Sequence, residues 1–261
     1  MATSSITKNF VISGKEQVEM FVNAIEESAK NRPVQTSVAA REIKGENELR
    51  ELMRLRKLKA NDKFFSVNIR EYLALGNDEE AGEPALMELL SGFSCPQNPD
   101  VERFLKKNAV EFTKKNQSVT YLVISAEDVS LLGYFTLALK PLTVRGETVS
   151  NTTKRKLLRI SELDEETDTY TMSAYLIAQL GKNFSEDEGR KISGAELLKL
   201  AWDKIKEIQY LSGGMVTFLE AEKREKLLSF YRNNSFSEFD TRQTSSDSEN
   251  QHELVQLLRL L

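Results

Sequence analysis

The chain has 261 residues, 40% of them hydrophobic and 29% charged, and a formal net charge of −4. That composition suits one sizeable globular domain plus an appendage, and the negative balance excludes nucleic-acid binding by bulk electrostatics. The single cysteine, Cys95, excludes an internal disulfide framework, no apolar run is long enough to span a bilayer, and Met1 to Phe10 lacks the apolar core of a signal peptide.

The expected compartment is therefore the cytoplasm, with no membrane contact. Residues 1–60 read as an appendage and residues 61–261 as the main domain. Asn9 to Ile12 is a strand candidate, and Lys15 to Lys30 carries Val18, Phe21, Val22 and Ile25 on one helical face. Arg32-Pro33 closes that helix. Val34 to Ile43 is extended or irregular, and Glu46 to Lys59 is a second amphipathic helix whose cations read as a solvated face ahead of a nucleic-acid contact. Two such elements cannot bury their apolar faces alone. They must dock on the main domain, on a second copy, or on another protein.

Phe64 to Ile69 is the next strand candidate, followed by a loop with Gly76, Gly82 and Pro84 and a short helix to Leu90. Pro99-Asp100 signals a helix start, with Val101, Phe104, Leu105 and Ala109 in one helix. Ser118 to Ser125 and Leu131 to Leu139 read as an antiparallel hairpin. Lys140 to Ile160 is less regular and holds Lys140, Arg145, Lys154, Arg155, Lys156 and Arg159 against Glu147 alone. Two readings of that basic stretch stay open, a solvated surface or an electrostatic seat for phosphates. Ser161 to Thr169 turns acidic and reads as a surface turn.

Ala174 to Gly181 is apolar, uncharged and short, a strand buried on both faces. A polar break leads to Arg190-Lys191-Ile192-Ser193-Gly194-Ala195 and then to a helix over Glu196 to Tyr210, with Trp202 read as packing. A strand, a small-residue turn and a helix N-terminus make an anion site, because free N–H groups and the helix dipole both favour negative charge. Gly194 and Ala195 let a phosphate approach the backbone closely. Met215 to Leu219 is a further strand, and Glu225 to Tyr231 begins a helix ending near Ser235-Phe236. Asp240 to Gln251 reads as a loop. Leu254 to Leu261 closes the sheet as a strand, with a C-terminal helix as the competing reading.

This order of elements, together with Phe230-Tyr231 and Phe236 five residues after Tyr231, resembles the GNAT superfamily of N-acetyltransferases from Phe93 onward, about two-thirds of the chain. Phe93-Ser94-Cys95 followed by Val101, Phe104 and Leu105 resembles the motif that opens many GNAT-type toxins of bacterial toxin–antitoxin pairs. The resemblance implies an α/β (α+β) fold, a mixed and mostly antiparallel sheet flanked by helices. It implies acetyl-CoA as co-substrate, without a metal. Backbone N–H groups near Leu180, Gly181 and Lys182 would meet the acetyl and pantetheine groups. Arg190, Lys191, Ser193, Gly194 and Ala195 would take the pyrophosphate, with Arg224 nearby, and Tyr231 would protonate the CoA thiolate. Three positions depart from the family pattern. Ser193 stands for the first turn glycine, Arg224 for a frequent asparagine, and Ser235 for the glycine before Phe236.

The implied reaction is acetyl transfer to a primary amine, with the α-amine of aminoacyl-tRNA as the toxin-like acceptor. The basic stretch Lys140 to Arg159 would then seat tRNA or the CoA 3′-phosphate, and an antitoxin or a second copy would be the protein partner. A small-molecule or protein-lysine acetyltransferase is the alternative, as is a catalytically degenerate module that regulates or binds. Glu220 is the candidate general base, with a surface carboxylate as its plainer reading. His252 is the only histidine and lies far along the chain from Cys95, so a Cys–His nucleophile is not expected, nor is a metal site. The chain has no phosphate loop of the nucleotide-hydrolase type.

Overall fold

An eight-stranded sheet carries the site, with its central strands in the order β1-β2-β3-β5-β6-β8-β7 and β4 paired to β5. The structure is a computed structural model and describes residue 23 and residues 63–75, 82–161, 163–185, 191–243 and 253–261. The chain divides between Glu42 and Ile43, and every described residue except Asn23 belongs to the second part. The appendage elements expected within residues 1–60, the boundary expected after them, and Arg190 therefore lie outside the described residues.

The strands are β1 (Phe64–Asn68), β2 (Val119–Ser125), β3 (Leu131–Arg145), β4 (Leu163–Asp164), β5 (Thr169–Lys182), β6 (Val216–Glu222), β7 (Ser237–Gln243) and β8 (Glu253–Leu260). Every pairing is antiparallel except β5 with β6. Four short helices follow β1 or precede β2: α1 (Ile69–Leu73), α2 (Glu83–Ser91), α3 (Pro99–Lys107) and α4 (Ala109–Lys114). Next in chain order come α5 (Asn151–Leu157), α6 (Gly194–Ser212) and α7 (Glu225–Asn233).

Side chains alternate across the sheet, as the strand period requires. On β6, Leu219 and Ala221 join a cluster with Leu197, Leu198, Ala201 and Ile205 of α6. Val216 and Phe218 face the other way and pack with Leu157 of α5. Helices α1 to α4 bury Ile69, Leu86, Leu90 and Leu105 against Leu122 and Tyr134. Among the described residues no helix is long and apolar enough to cross a membrane.

The expected hairpin, the strand before the turn, the long helix after it and the closing C-terminal strand are all present. Three expectations change. Lys140 to Arg145 is a strand, because β3 runs past the hairpin and pairs through to Thr169 on β5. The start of the expected Asp240–Gln251 loop is also strand, since Asp240 to Gln243 pairs with β8. Ala109 opens a separate helix, because the chain breaks at Asn108, where φ is −115°, and α4 then turns Ala109, Val110 and Thr113 inward.

Candidate active site

The parallel ladder between β5 and β6 has two residue pairs, Tyr175 with Thr217 and Leu176 with Phe218. Both strands run on beyond it, so they part and leave a cleft of about 330 Å³. Ile177 to Leu180 line one wall, Leu219 to Glu222 the other, and Tyr231 of α7 reaches the same space. Past Leu176, β5 has no strand on its β6 side among the described residues. The backbone groups on that edge are left for an extended ligand to satisfy. Thr136 pairs with Gln179 and Leu137 with Ile177, so Ala178 is an extra, bulged residue in the cleft wall. Such a bulge re-aims the strand at the place where pairing ends. A smooth apolar run gives no signal of it.

The first turn of α3 covers the cleft through Asn98, Asp100 and Val101. It is fastened from below. The Tyr134 hydroxyl donates to the Val101 carbonyl at 2.6 Å. A Cβ on Gly181 would stand 2.5 Å from Val101 Cγ1 and 2.8 Å from Tyr134 Cε1, so this position admits glycine alone without movement. The Phe93-Ser94-Cys95 segment is a structural clamp in the same region. Phe93 packs edge-on to Tyr134 with ring centroids 5.3 Å apart. Asn183 Oδ1 accepts from Ser94 N at 2.9 Å, and Asn183 Nδ2 donates to the Leu131 carbonyl at 2.8 Å. Glu102 accepts from Cys95 N at 2.7 Å. Cys95 is buried and burial pushes its thiol pKa up, which suits packing rather than nucleophilic chemistry.

Tyr231 is only 8% exposed. Burial raises its phenol to about 12, and its hydroxyl has no hydrogen-bond partner among the described residues. The end of its helix explains why Phe236 follows at this spacing. Phe236 N donates to the Tyr231 carbonyl at 3.1 Å and Ser235 N to the Arg232 carbonyl at 3.0 Å, the paired bonds of a Schellman cap. The two rings meet at 5.9 Å. Ser235 occupies the left-handed position, with φ of 67°, where a side chain costs about 1–2 kcal/mol. Ser235→Gly is therefore expected to raise stability by about 1 kcal/mol, read as a higher thermal midpoint. An unchanged or lower midpoint would show that the serine side chain compensates for the strain.

Ser193 caps α6 in a reciprocal pair with Glu196. Its Oγ accepts from Glu196 N at 3.2 Å, and the Glu196 carboxylate accepts from Ser193 N at 2.8 Å. This is a capping box, written in the sequence as Ser193-x-x-Glu196, a signature that the phosphate-turn reading does not use. The bond from Ser193 N, then that from its hydroxyl, lowers the Glu196 pKa, so a negative charge sits at the helix start. Gly194 and Ala195 N–H have no acceptor among the described residues. Gly194 also lies against Phe230, the neighbour of Tyr231, since a Cβ there would be 3.4 Å from the Phe230 ring.

Leu180, Glu220 and Tyr231 thus share the cleft, with Gly181 beneath its cover and Gly194 abutting the helix that carries Tyr231. The other expected residues point elsewhere. Lys191 pairs with Asp128, Arg224 with Glu222, and Lys182 Nζ lies 5.5 Å from the Phe184 ring centroid. Glu220 has both carboxylate oxygens engaged, by Arg242 Nη2 at 2.7 Å and Gln256 Nε2 at 2.8 Å. As a base it would have to surrender one of them. Among the described residues, the charged side chains lining the cleft are the carboxylates Asp100, Glu220 and Glu222. Among the described residues no group of three or more His, Cys, Asp or Glu could hold a metal ion.

No protein-family model matches the chain, and no curated protein matches it. Solved structures do. A Tyr-to-Phe mutant of KacT is similar at 18% identity and a TM-score of 0.50, over 76% of this chain and 95% of that one. AtaT complexed with acetyl-methionyl-tRNAfMet is similar at 18% identity and a TM-score of 0.48, over 74% and 93%. A mutant AtaT toxin bound to the C-terminus of the antitoxin AtaR and acetyl-CoA gives 16% and 0.46, over 76% and 94%. The KacT likeness, with the parting of β5 and β6, shows that this chain has the fold of the GNAT-type toxins.

Proposed function

We propose that the chain is an acetyl-CoA-dependent N-acetyltransferase that modifies a primary amine. The observation that carries this reading is the cleft where β5 and β6 part, with Tyr231 in it and its hydroxyl unbonded among the described residues. The residues present fit the co-substrate. Gly194 and Ala195 offer two N–H groups, without an acceptor among the described residues, to a pyrophosphate at the start of α6. The unpaired edge of β5 from Ile177 to Lys182 offers a ladder to the amide-bearing arm. Bound acetyl-CoA supplies the thioester. The amine nitrogen forms the new bond to the acetyl carbon as the carbon–sulfur bond breaks, and the sulfur leaves with the electron pair. Tyr231, neutral because burial holds its phenol at about 12, donates to the departing sulfur. The proton shed by the amine restores the phenol, so no net charge accumulates in the cleft.

Glu196 is a charged carboxylate beside the proposed phosphate site. Glu196→Gln keeps an oxygen to accept from Ser193 N and removes the charge. It is expected to tighten acetyl-CoA binding by about two- to fivefold, the equivalent of about 0.5–1 kcal/mol. Calorimetric titration checks it, and weaker binding would move the phosphate away from this turn.

The acceptor that we infer is the α-amine of an aminoacyl-tRNA. Lys140, Lys154, Arg155, Lys156 and Arg159 have no ion-pair partner among the described residues, whereas Arg145 is tied to Asp240 and Glu147. Lys154, Arg155 and Lys156 lie on α5, Arg159 follows it, and Lys140 lies on β3 opposite Ala174; Leu157 of α5 shares a buried cluster with Met172 of β5. Met172 is roughly 23 Å along the strand from Gln179 in the cleft. Such a separation suits a polyanionic body with a small reactive end. A second reading is favoured by the cleft itself: Asp100, Glu220 and Glu222 line it, and a small cationic amine would share them with Arg103, Arg242 and Arg224. Thiol release measured with charged tRNA, a polyamine and a lysine peptide separates them. Turnover with charged tRNA alone supports the first reading, turnover with the polyamine or peptide alone the second, and no turnover with any amine a degenerate module. Residues 1–60 are proposed as an antitoxin-like or interaction segment that restrains the activity of the rest of the chain. Their deletion is expected to make expression harmful, with rescue by Tyr231→Phe, and harmless expression of an active truncated chain would refute it.

A further inference from the structure

The cleft between β5 and β6 has two unlike sides. Leu219 and Ala221 of β6 share the α6 cluster with Tyr231 and Leu228. Glu220 and Glu222 alternate with them and so face the side of α5. The bulge at Ala178 divides the other wall in the same way. Ile177 stays with the α6 cluster. Gln179 pairs with Thr136, and a Cβ two residues on, at Gly181, would meet Val101 and Tyr134. The Gln179 side chain therefore projects toward α3. That face of β3 continues from Tyr134 and Thr136 through Lys140 to Leu142, which packs with Leu157 of α5. Gln179 thus shares its side with the basic helix α5, and Tyr231 stands on the other.

Among the polar side chains that line the cleft, only Tyr231 and Gln179 have no partner among the described residues. Asn98 Oδ1 accepts from Val101 N at 3.3 Å. Asp100, Glu220 and Glu222 are held by Arg103, Arg242 and Arg224. A carboxylate already seated on an arginine is a poor seat for an ammonium ion, and a neutral amide brings no countercharge. The amide does present an acceptor oxygen beside an NH2 donor in one plane. An α-amine next to a carbonyl carries the complementary pair, an N–H donor and a C=O acceptor. A lysine ε-amine or a polyamine has no such carbonyl. The α-amine also arrives with its lone pair available. At a pKa of about 7.8 about a third of it is neutral near pH 7.5, against about one part in a thousand of a lysine amine at about 10.4.

We propose that Gln179 selects the acceptor, its amide oxygen taking an N–H of a neutral α-amine and its NH2 group donating to the adjacent carbonyl. The assignment rests on the acetyltransferase reading of the same cleft. The amine enters from the side of α3 and α5 and faces Tyr231 across the gap. Thiol release by the full chain is measured with charged tRNA, spermidine and a lysine peptide, beside acetyl-CoA affinity by calorimetry. The parent is expected to prefer charged tRNA. Gln179→Leu is expected to lower kcat/KM for charged tRNA by about tenfold or more, with acetyl-CoA affinity within about twofold. Gln179→Glu gives a readout that packing alone would not move. Its carboxylate holds an ammonium ion, so kcat/KM for spermidine relative to charged tRNA rises by about tenfold or more. An unchanged kcat/KM in Gln179→Leu, or an equal loss for every acceptor in Gln179→Glu, overturns the proposal. Loss of acetyl-CoA affinity in both variants overturns it in favour of a packing role. A parent that acts on spermidine or the peptide alone overturns it and leaves acetyl transfer standing. A parent that binds acetyl-CoA yet acts on no amine overturns both.

Discussion

Tyr231→Phe is expected to lower acetyl transfer by about a hundredfold while leaving acetyl-CoA affinity within about twofold of the parent. General acid catalysis contributes roughly 10²–10⁴-fold when a positioned group donates the proton. The substitution isolates that contribution because the Tyr231 hydroxyl bonds to nothing among the described residues. Its removal leaves no donor or acceptor unsatisfied, and the ring contacts with Phe230 and Phe236 remain. The thermal midpoint should therefore hold. The pH profile gives an independent reading. Burial keeps the phenol protonated up to about 12, so loss of this proton should cause no alkaline fall in wild-type turnover until the pH nears that value. Thiol release and calorimetry together decide it. Equal losses in turnover and affinity would make Tyr231 a packing residue instead.

Gly181→Ala is expected to destabilise the protein by about 1–3 kcal/mol, the range for forcing a methyl group into a packed interior. The added carbon would lie 2.5 Å from Val101 Cγ1 and 2.8 Å from the ring of Tyr134, which is fully buried. The relief open to the structure is to lift the first turn of α3, which breaks the Tyr134–Val101 bond and opens the cover of the cleft. Urea unfolding should show the loss, and acetyl transfer should fall further than the folded fraction alone accounts for. Val101→Ala in the Gly181→Ala background removes the nearer clash and should recover part of the stability. A neutral Gly181→Ala, or no recovery in the double variant, would contradict the contact.

Strong periodic signals were legible in the sequence. The apolar run Ala174 to Gly181 lies within β5, the amphipathic pattern after Gly194 is α6, and the alternation of Tyr134 to Leu139 is part of β3. The pairing of Tyr231 with Phe236 was legible as a spacing, and its cause, a Schellman cap with Ser235 in the left-handed position, became visible only with the backbone. Long-range features were hidden. Nothing local marks Ala178 as a bulge, because a bulge is a property of the register between β3 and β5. Asn183 looks like a loop polar residue, yet it ties Ser94 to Leu131 across distant segments. Arg259 sits in an apolar strand pattern, and its place over Trp202 depends on how β8 meets α6. The charges of the expected site were the least legible part. Lys191 and Glu220 found protein partners that sequence separation conceals, and Arg224 is taken by its near neighbour Glu222.

If the parted strands and the start of α6 form a working acetyl-CoA site, the thermal unfolding midpoint responds to acetyl-CoA. A ligand that binds only the folded state stabilises it by about 2.7 kcal/mol at roughly a hundredfold excess over its dissociation constant. A clear rise in the midpoint is expected, retained in Tyr231→Phe. No rise at millimolar acetyl-CoA would contradict such a site and would leave the fold without the cofactor that its cleft is proposed to hold.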